Sequence, residues 1–108
     1  MAPKWYEYAQ KQLKKDEHIQ KNFEGRLDGN FGYLFLTDHR LLFVKQEGFL
    51  RKSYEIILDL PKEDVEEISQ VESYKMEILE TGGERHVFES DIGVSSIEKN
   101  INELLAAD

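Results

Sequence analysis

Apolar residues recur along this chain with two periods, and the changes of period divide it into elements. From Lys4 to Lys14, Trp5, Tyr8, Ala9 and Gln12/Leu13 return every three or four residues, with Glu7, Lys11, Lys14 and Lys15 round the other side. That is a short amphipathic helix, and Pro3 sits where a first-turn proline is tolerated. From Ile19 the period falls to two. Ile19, Phe23, Gly25 and Leu27 fall on one face of a strand and Gln20, Asn22, Glu24 and Arg26 on the other. Asp28-Gly29-Asn30 is a turn. Phe31–Leu36 and Leu41–Lys45 are nearly continuous apolar strands joined by Thr37-Asp38-His39-Arg40. Such runs predict burial on both faces, or one face in the core and the other under another element.

After Glu47-Gly48 the alternation returns: Tyr54, Ile56, Leu58 and Leu60 against Glu55, Ile57 and Asp59, ended by Pro61, which cannot donate to a ladder. Residues 61–65 read as a single turn leading to Ile68, and Glu67–Ser73 as a strand. Tyr74, Met76 and Ile78 against Lys75 and Glu77 make the next strand, and Thr81-Gly82-Gly83-Glu84 is a hairpin turn. Arg85–Ser90 returns as the seventh strand, with Val87 and Phe88 as its apolar pair. The tail is helical. Ser95 and Glu98 have capping-box spacing, and Ile97, Ile101, Leu104 and Leu105 form one stripe that must be buried, most simply against the open end of a sheet or barrel. The predicted order is helix, seven short strands, helix, in an α+β and mostly β domain.

The length of 108 residues fits one domain with one modest core. The chain has no cysteine, which excludes disulfides and thiolate metal sites and is compatible with a cytoplasmic location. The longest apolar run, Tyr33–Leu36, is too short to span a bilayer, and no signal peptide is recognisable, so a soluble protein is expected. The net charge of −8 is uneven. Residues 1–53 carry ten basic against seven acidic residues (+3), residues 54–108 four against fifteen (−11). An acidic chain without a basic and aromatic cluster is a poor nucleic-acid binder, whereas a two-signed surface suits self-association.

The segment Gly32-Tyr33-Leu34-Phe35-Leu36-Thr37-Asp38-His39-Arg40-Leu41-Leu42-Phe43-Val44 resembles prokaryotic pleckstrin-homology-like and GRAM-type domains: a glycine, an apolar strand, Leu-Thr-Asp/Asn-x-Arg, and a second apolar strand. Residues 58–68 are similar to that family's segment after its fourth strand, and Asp16-Glu17-His18-Ile19 to its acidic opening before the first. The resemblance implies a partly open barrel of about seven antiparallel strands in two orthogonal sheets, capped by the C-terminal helix. On that division residues 1–15 hold the extra N-terminal helix and residues 16–108 the domain proper. The family's phosphoinositide role is not carried over, because Arg26 stands between Glu24 and Asp28 where several cations would be needed.

Candidate chemistry is sparse. His18, His39 and His86 have no helical pairing that would make a metal site, and read as two surface histidines and one turn residue. In Thr37-Asp38-His39-Arg40 the Thr and Asp side chains are expected to satisfy backbone donors of a tight turn. No serine-nucleophile motif, phosphate-cradling glycine loop or paired-histidine helix is present. The chain is therefore read as a non-enzymatic binding or assembly module with no catalytic, cofactor or metal residues. Its expected partner is a protein, itself included. The alternative is a peripheral membrane or lipid-headgroup module, with weak anionic contact through Lys11, Lys14, Lys15 and Lys21, and no small-molecule substrate is expected. The candidate interaction surface is Trp5, Tyr8, Lys11, Lys14 and Lys15.

Overall fold

A computed structural model describes residues 2–107. Helix α1 (Lys4–Lys11) is followed by seven strands: β1 (Ile19–Leu27), β2 (Asn30–Thr37), β3 (Arg40–Glu47), β4 (Ser53–Pro61), β5 (Val65–Glu72), β6 (Lys75–Glu80) and β7 (Arg85–Ser90). A 3₁₀ turn at Lys62–Asp64 joins β4 to β5, and α2 (Ser95–Ala106) closes the chain. All seven strands are antiparallel and hydrogen-bonded into one open sheet of order β4-β3-β2-β1-β7-β6-β5. Two consecutive strands, β4 and β5, are thus the sheet's two edges. Among the described residues no helix is long and apolar enough to cross a membrane.

Strand β1 lies at the middle of the sheet, between β2 and β7. Gly25 faces Gly32 on one side and Ser90 on the other. A Cβ there would lie 2.3 Å from the Glu89 carbonyl oxygen and 2.7 Å from the Phe88 ring, so only glycine admits that approach. The Asp28-Gly29 turn has φ of +51° and +85°, the positive pair that suits a tight hairpin between right-twisted strands.

Side chains alternate between two cores. Leu34, Leu36, Leu41, Phe43, Leu58 and Leu60 face one way, where Met76, Ile78 and Phe88 from the far half of the sheet meet Ile97, Ile101 and Leu104 of α2. Tyr33, Phe35, Leu42 and Val44 face the other way and are covered by α1 through Ala9, Trp5, Tyr6 and Tyr8. The continuous apolar runs of β2 and β3 are thus filled on both sides, as their sequence predicts.

Five sequence expectations are corrected. Ile19 lies against the α1 side while Phe23 and Leu27 face the α2 side, because the β1–β2 register slips between Ile19 and Lys21. A one-residue bulge reverses the facing of everything beyond it. In β4 the register slips opposite Phe43/Val44, so Tyr54 and Ile56 serve the α1 side and Ile57, Leu58 and Leu60 the other. Tyr74 is a turn residue, 54% exposed, rather than an inward strand position. Ser95 makes no capping hydrogen bond. The N-cap is Val94, fully buried, its N–H donating to the Ser73 carbonyl and its carbonyl accepting from Glu98 N–H. Burial of an apolar side chain anchors this helix start where a hydroxyl was expected. The first helix also stops at Lys11, three residues short of Lys14, with Gln12 as C-cap.

Candidate interaction surface

The sequence-derived surface divides on folding. Trp5 stacks on Tyr33 with ring centroids 3.9 Å apart and planes 6° from parallel. Tyr8 lies 5.7 Å from the Tyr54 ring. These aromatics are half-buried against the chain's own sheet, whereas Lys11, Lys14 and Lys15 are exposed. Burial first, then the nearby Glu24 and Tyr54, raise the Tyr33 pKa above its ordinary value.

Below α1 lies a closed ionic latch. Glu17 and Arg40, both buried, meet in a two-pronged pair: Nε donates to Oε2 at 2.8 Å and an η nitrogen to Oε1 at 2.9 Å. Arg40 also donates to both carboxylate oxygens of Asp59 at 3.0 Å and to the Gln12 carbonyl at 2.9 Å. Thr37 Oγ1 donates to Glu17 at 2.7 Å and accepts from the backbone N–H groups of His39 and Arg40. Asp38 accepts from His18 N–H at 2.9 Å. Thr37 therefore satisfies the turn's own backbone donors, as expected, whereas Asp38 reaches outside the turn to the His18 N–H. What the sequence reading missed is that Arg40 reaches back 23 residues to Glu17 and ties the segment after α1 to the sheet. Its signal was an arginine closing an otherwise apolar stretch, with an acid in the opening Asp16-Glu17.

Burial alone would raise the Glu17 pKa, but the hydrogen bonds from Arg40, Lys14 N–H and Thr37 outweigh it and hold the carboxyl at about 2. Arg40 is pushed upward by the same pairing. Both groups stay charged at neutral pH, the opposite of a general acid or base poised near the working pH. Among the described residues no buried side-chain nitrogen or oxygen lacks a partner, so the buried atoms of the latch are paired within the chain.

The histidines separate. His18 and His39 are exposed at Asp38, as expected. His86, read from sequence as one of the bland ones, is instead clasped between carboxylates: Nδ1 is 2.9 Å from Asp28 Oδ2 and Nε2 is 2.6 Å from Glu80 Oε2. Burial would lower its pKa, but hydrogen bonds to Glu80 and Asp28 prevail and raise it. Glu80, Glu84 and His86 bring their ligand-type atoms within 4.8 Å of one another. The short Glu80 contact is an ion pair when the ring is protonated.

The remaining surface features are apolar or open. Phe49 and Leu50 in the β3–β4 loop are 91% and 90% exposed. Sequence reading passed over them because they lie in a turn rather than on a periodic face, although two large apolar residues between Gly48 and Arg51-Lys52 were the available sign. Among the described residues the outer edges of β4 and β5 have no partner strand. A groove of about 420 Å³ runs beside α2 between Lys21, Leu36, Lys62, Asn100 and Leu104. No family model matches the chain, and no curated protein matches it either.

Proposed function

We propose that this chain is a non-catalytic binding and assembly module of the pleckstrin-homology-like type, a partly open barrel whose partner is a protein. The observation that carries the reading is the open sheet: β5 ends it with one whole side free of hydrogen-bonded strands. A row of unpaired main-chain groups accepts an extended segment of another chain, with side chains supplying selectivity. β5 exposes Val71 (53%), and Tyr74 just beyond its end is exposed too, an apolar pair beside that edge. Glu66, Glu67 and Glu72 line the same strand, and its pairing with β6 slips twice. Charge and irregularity discourage indiscriminate strand pairing, so the segment that fits is extended and basic. The buried Glu17–Arg40 pair is satisfied within the chain, which supports a binding role over a chemical one.

The test is amide exchange of the full chain with and without an alternating lysine–valine peptide, alongside its mass in solution over a wide concentration range. Protection of β5 amides by the peptide is the expected result. If a second copy is the natural partner, the same protection appears with rising concentration together with a rise in mass. Unprotected β5 amides under every condition, with a constant monomer mass, would end this reading.

A further inference from the structure

The tip of the β3–β4 hairpin combines three features that occur together nowhere else among the described residues. First, Phe49 and Leu50 are adjacent and almost wholly in solvent. Second, the tip is held out by backbone geometry. Gly48 has φ +101°, and a Cβ there would lie 1.9 Å from the Arg51 carbonyl oxygen, so the turn demands glycine. Third, the tip is ringed by cations. Arg51 and Lys52 follow it, and Lys4 at the start of α1 lines a shallow recess with Leu50, Arg51, Lys52 and Tyr54. Lys4, Arg51 and Lys52 form no ion pair among the described residues. The two acids of the hairpin stem sit by Lys45: Glu47 at 3.0 Å, and Glu55 directly across the ladder.

We propose that this tip is a membrane-anchoring point. Phe49 and Leu50 enter the apolar margin of an anionic bilayer while Lys4, Arg51 and Lys52 lie against its headgroups. Shape favours a bilayer over a protein. A convex tip of two side chains offers far less than the roughly 800 Å² per partner of a standard protein interface. A fluid bilayer surface needs no matching pocket. Charge favours it too: three exposed cations stand at the tip, whereas residues 54–108 carry −11, so an anionic surface turns the molecule tip first. The three cations line one shallow, open recess and all are exposed, so recognition is of negative charge in general. The nine residues of β4, about 30 Å of strand, separate the tip from the turn that begins β5. The inference therefore stands independently of the β5 edge.

The experiment is partition of the full chain onto phosphatidylcholine vesicles with and without phosphatidylserine. Phe49→Ser/Leu50→Ser should weaken binding to the anionic vesicles by at least about tenfold, since interfacial affinity scales with buried apolar area. Arg51→Gln and Lys52→Gln should each weaken it about fivefold. All four side chains are exposed, so the fold should survive, and an unchanged thermal transition verifies that. The chain has no cysteine, so a single Leu50→Cys carries an environment-sensitive dye at the tip and Tyr74→Cys carries it at a control site. The tip dye should shift blue on anionic vesicles and the control dye should not. Equal partition of wild type and the double serine variant, or a tip dye that stays in water, overturns the proposal. A blue shift that grows with protein concentration without vesicles assigns the tip to a protein partner and overturns it equally. Salt-resistant preference for one phosphoinositide over phosphatidylserine would overturn the charge-only recognition.

Discussion

On β2 and β3 every residue from Gly32 to Thr37 and from Arg40 to Val44 is buried, whereas on β6 and β7 buried positions alternate with exposed or half-buried ones. Both regions share the core under α2, but only the first is also covered outside, by α1. The two differ in their ion pairs as well. Arg40 and Glu17 meet out of water, while Arg85 and Glu77 pair on the bare face with the arginine side chain 61% exposed. Double cladding lets polar groups be sequestered and makes their loss expensive. A single clad face leaves its charges in water, available to a partner and nearly irrelevant to stability.

The comparison is sharpened most by removing each cover. Cutting the chain after Gly93 removes α2, whose Ile97, Ile101 and Leu104 fill the core that both regions share. Such a fragment should show no cooperative unfolding transition, since domains of this size have only a small stability margin. Sharp, dispersed amide NMR signals from it would break the argument. Next in size is Arg40→Ala, which strands a buried carboxylate and should cost about 3–5 kcal/mol, against no more than about 1 kcal/mol for Arg85→Ala. Equal costs in urea unfolding would erase the distinction between the two regions.

Trp5→Ala should cost roughly 1–3 kcal/mol, less than a fully buried aromatic because Trp5 is only half-buried on Tyr33. Trp5 is the sole tryptophan, so its emission reports on α1 alone. It should be blue-shifted and independent of protein concentration. Emission like that of free tryptophan would mean that the outer cover is undocked.

The two regions should also fail at opposite ends of the pH scale. Glu17 is held at about 2 from an ordinary 4.5, so the latch's contribution is complete above 4.5 and is lost as pH falls towards 2. His86 is raised above 6.5, so its clasp contributes fully below 6.5 and is lost as pH rises through the raised value. His86→Gln should flatten the alkaline decline in stability and leave the acid limb alone, and an unchanged alkaline slope would count against the clasp. Smallest of all, Val87→Thr on the bare face should fall within about 0.5 kcal/mol of wild type.

Much of this architecture was legible without coordinates, for a local reason. Strand number, the turns at Asp28-Gly29 and Gly82-Gly83, the stop at Pro61 and the α2 stripe all depend on neighbours within a few residues, where periodicity and backbone preference act directly. The unbroken apolar runs of β2 and β3 likewise announced that something would cover their second face.

What needed the tertiary structure is whatever turns on register or on distance along the chain. Two slips of the ladder decide that Ile19, Tyr54 and Ile56 serve the α1 side, and alternation alone cannot place a bulge. Arg40 finds Glu17 and His86 finds Asp28 across 23 and 58 residues, because strand pairing brings their ends together. Phe49 and Leu50 look in sequence like any apolar pair, and only the folded hairpin, with Gly48 at its bend, leaves them with nothing to pack against. Local preference writes the elements. Which faces and which charges meet is set by the register in which those elements assemble.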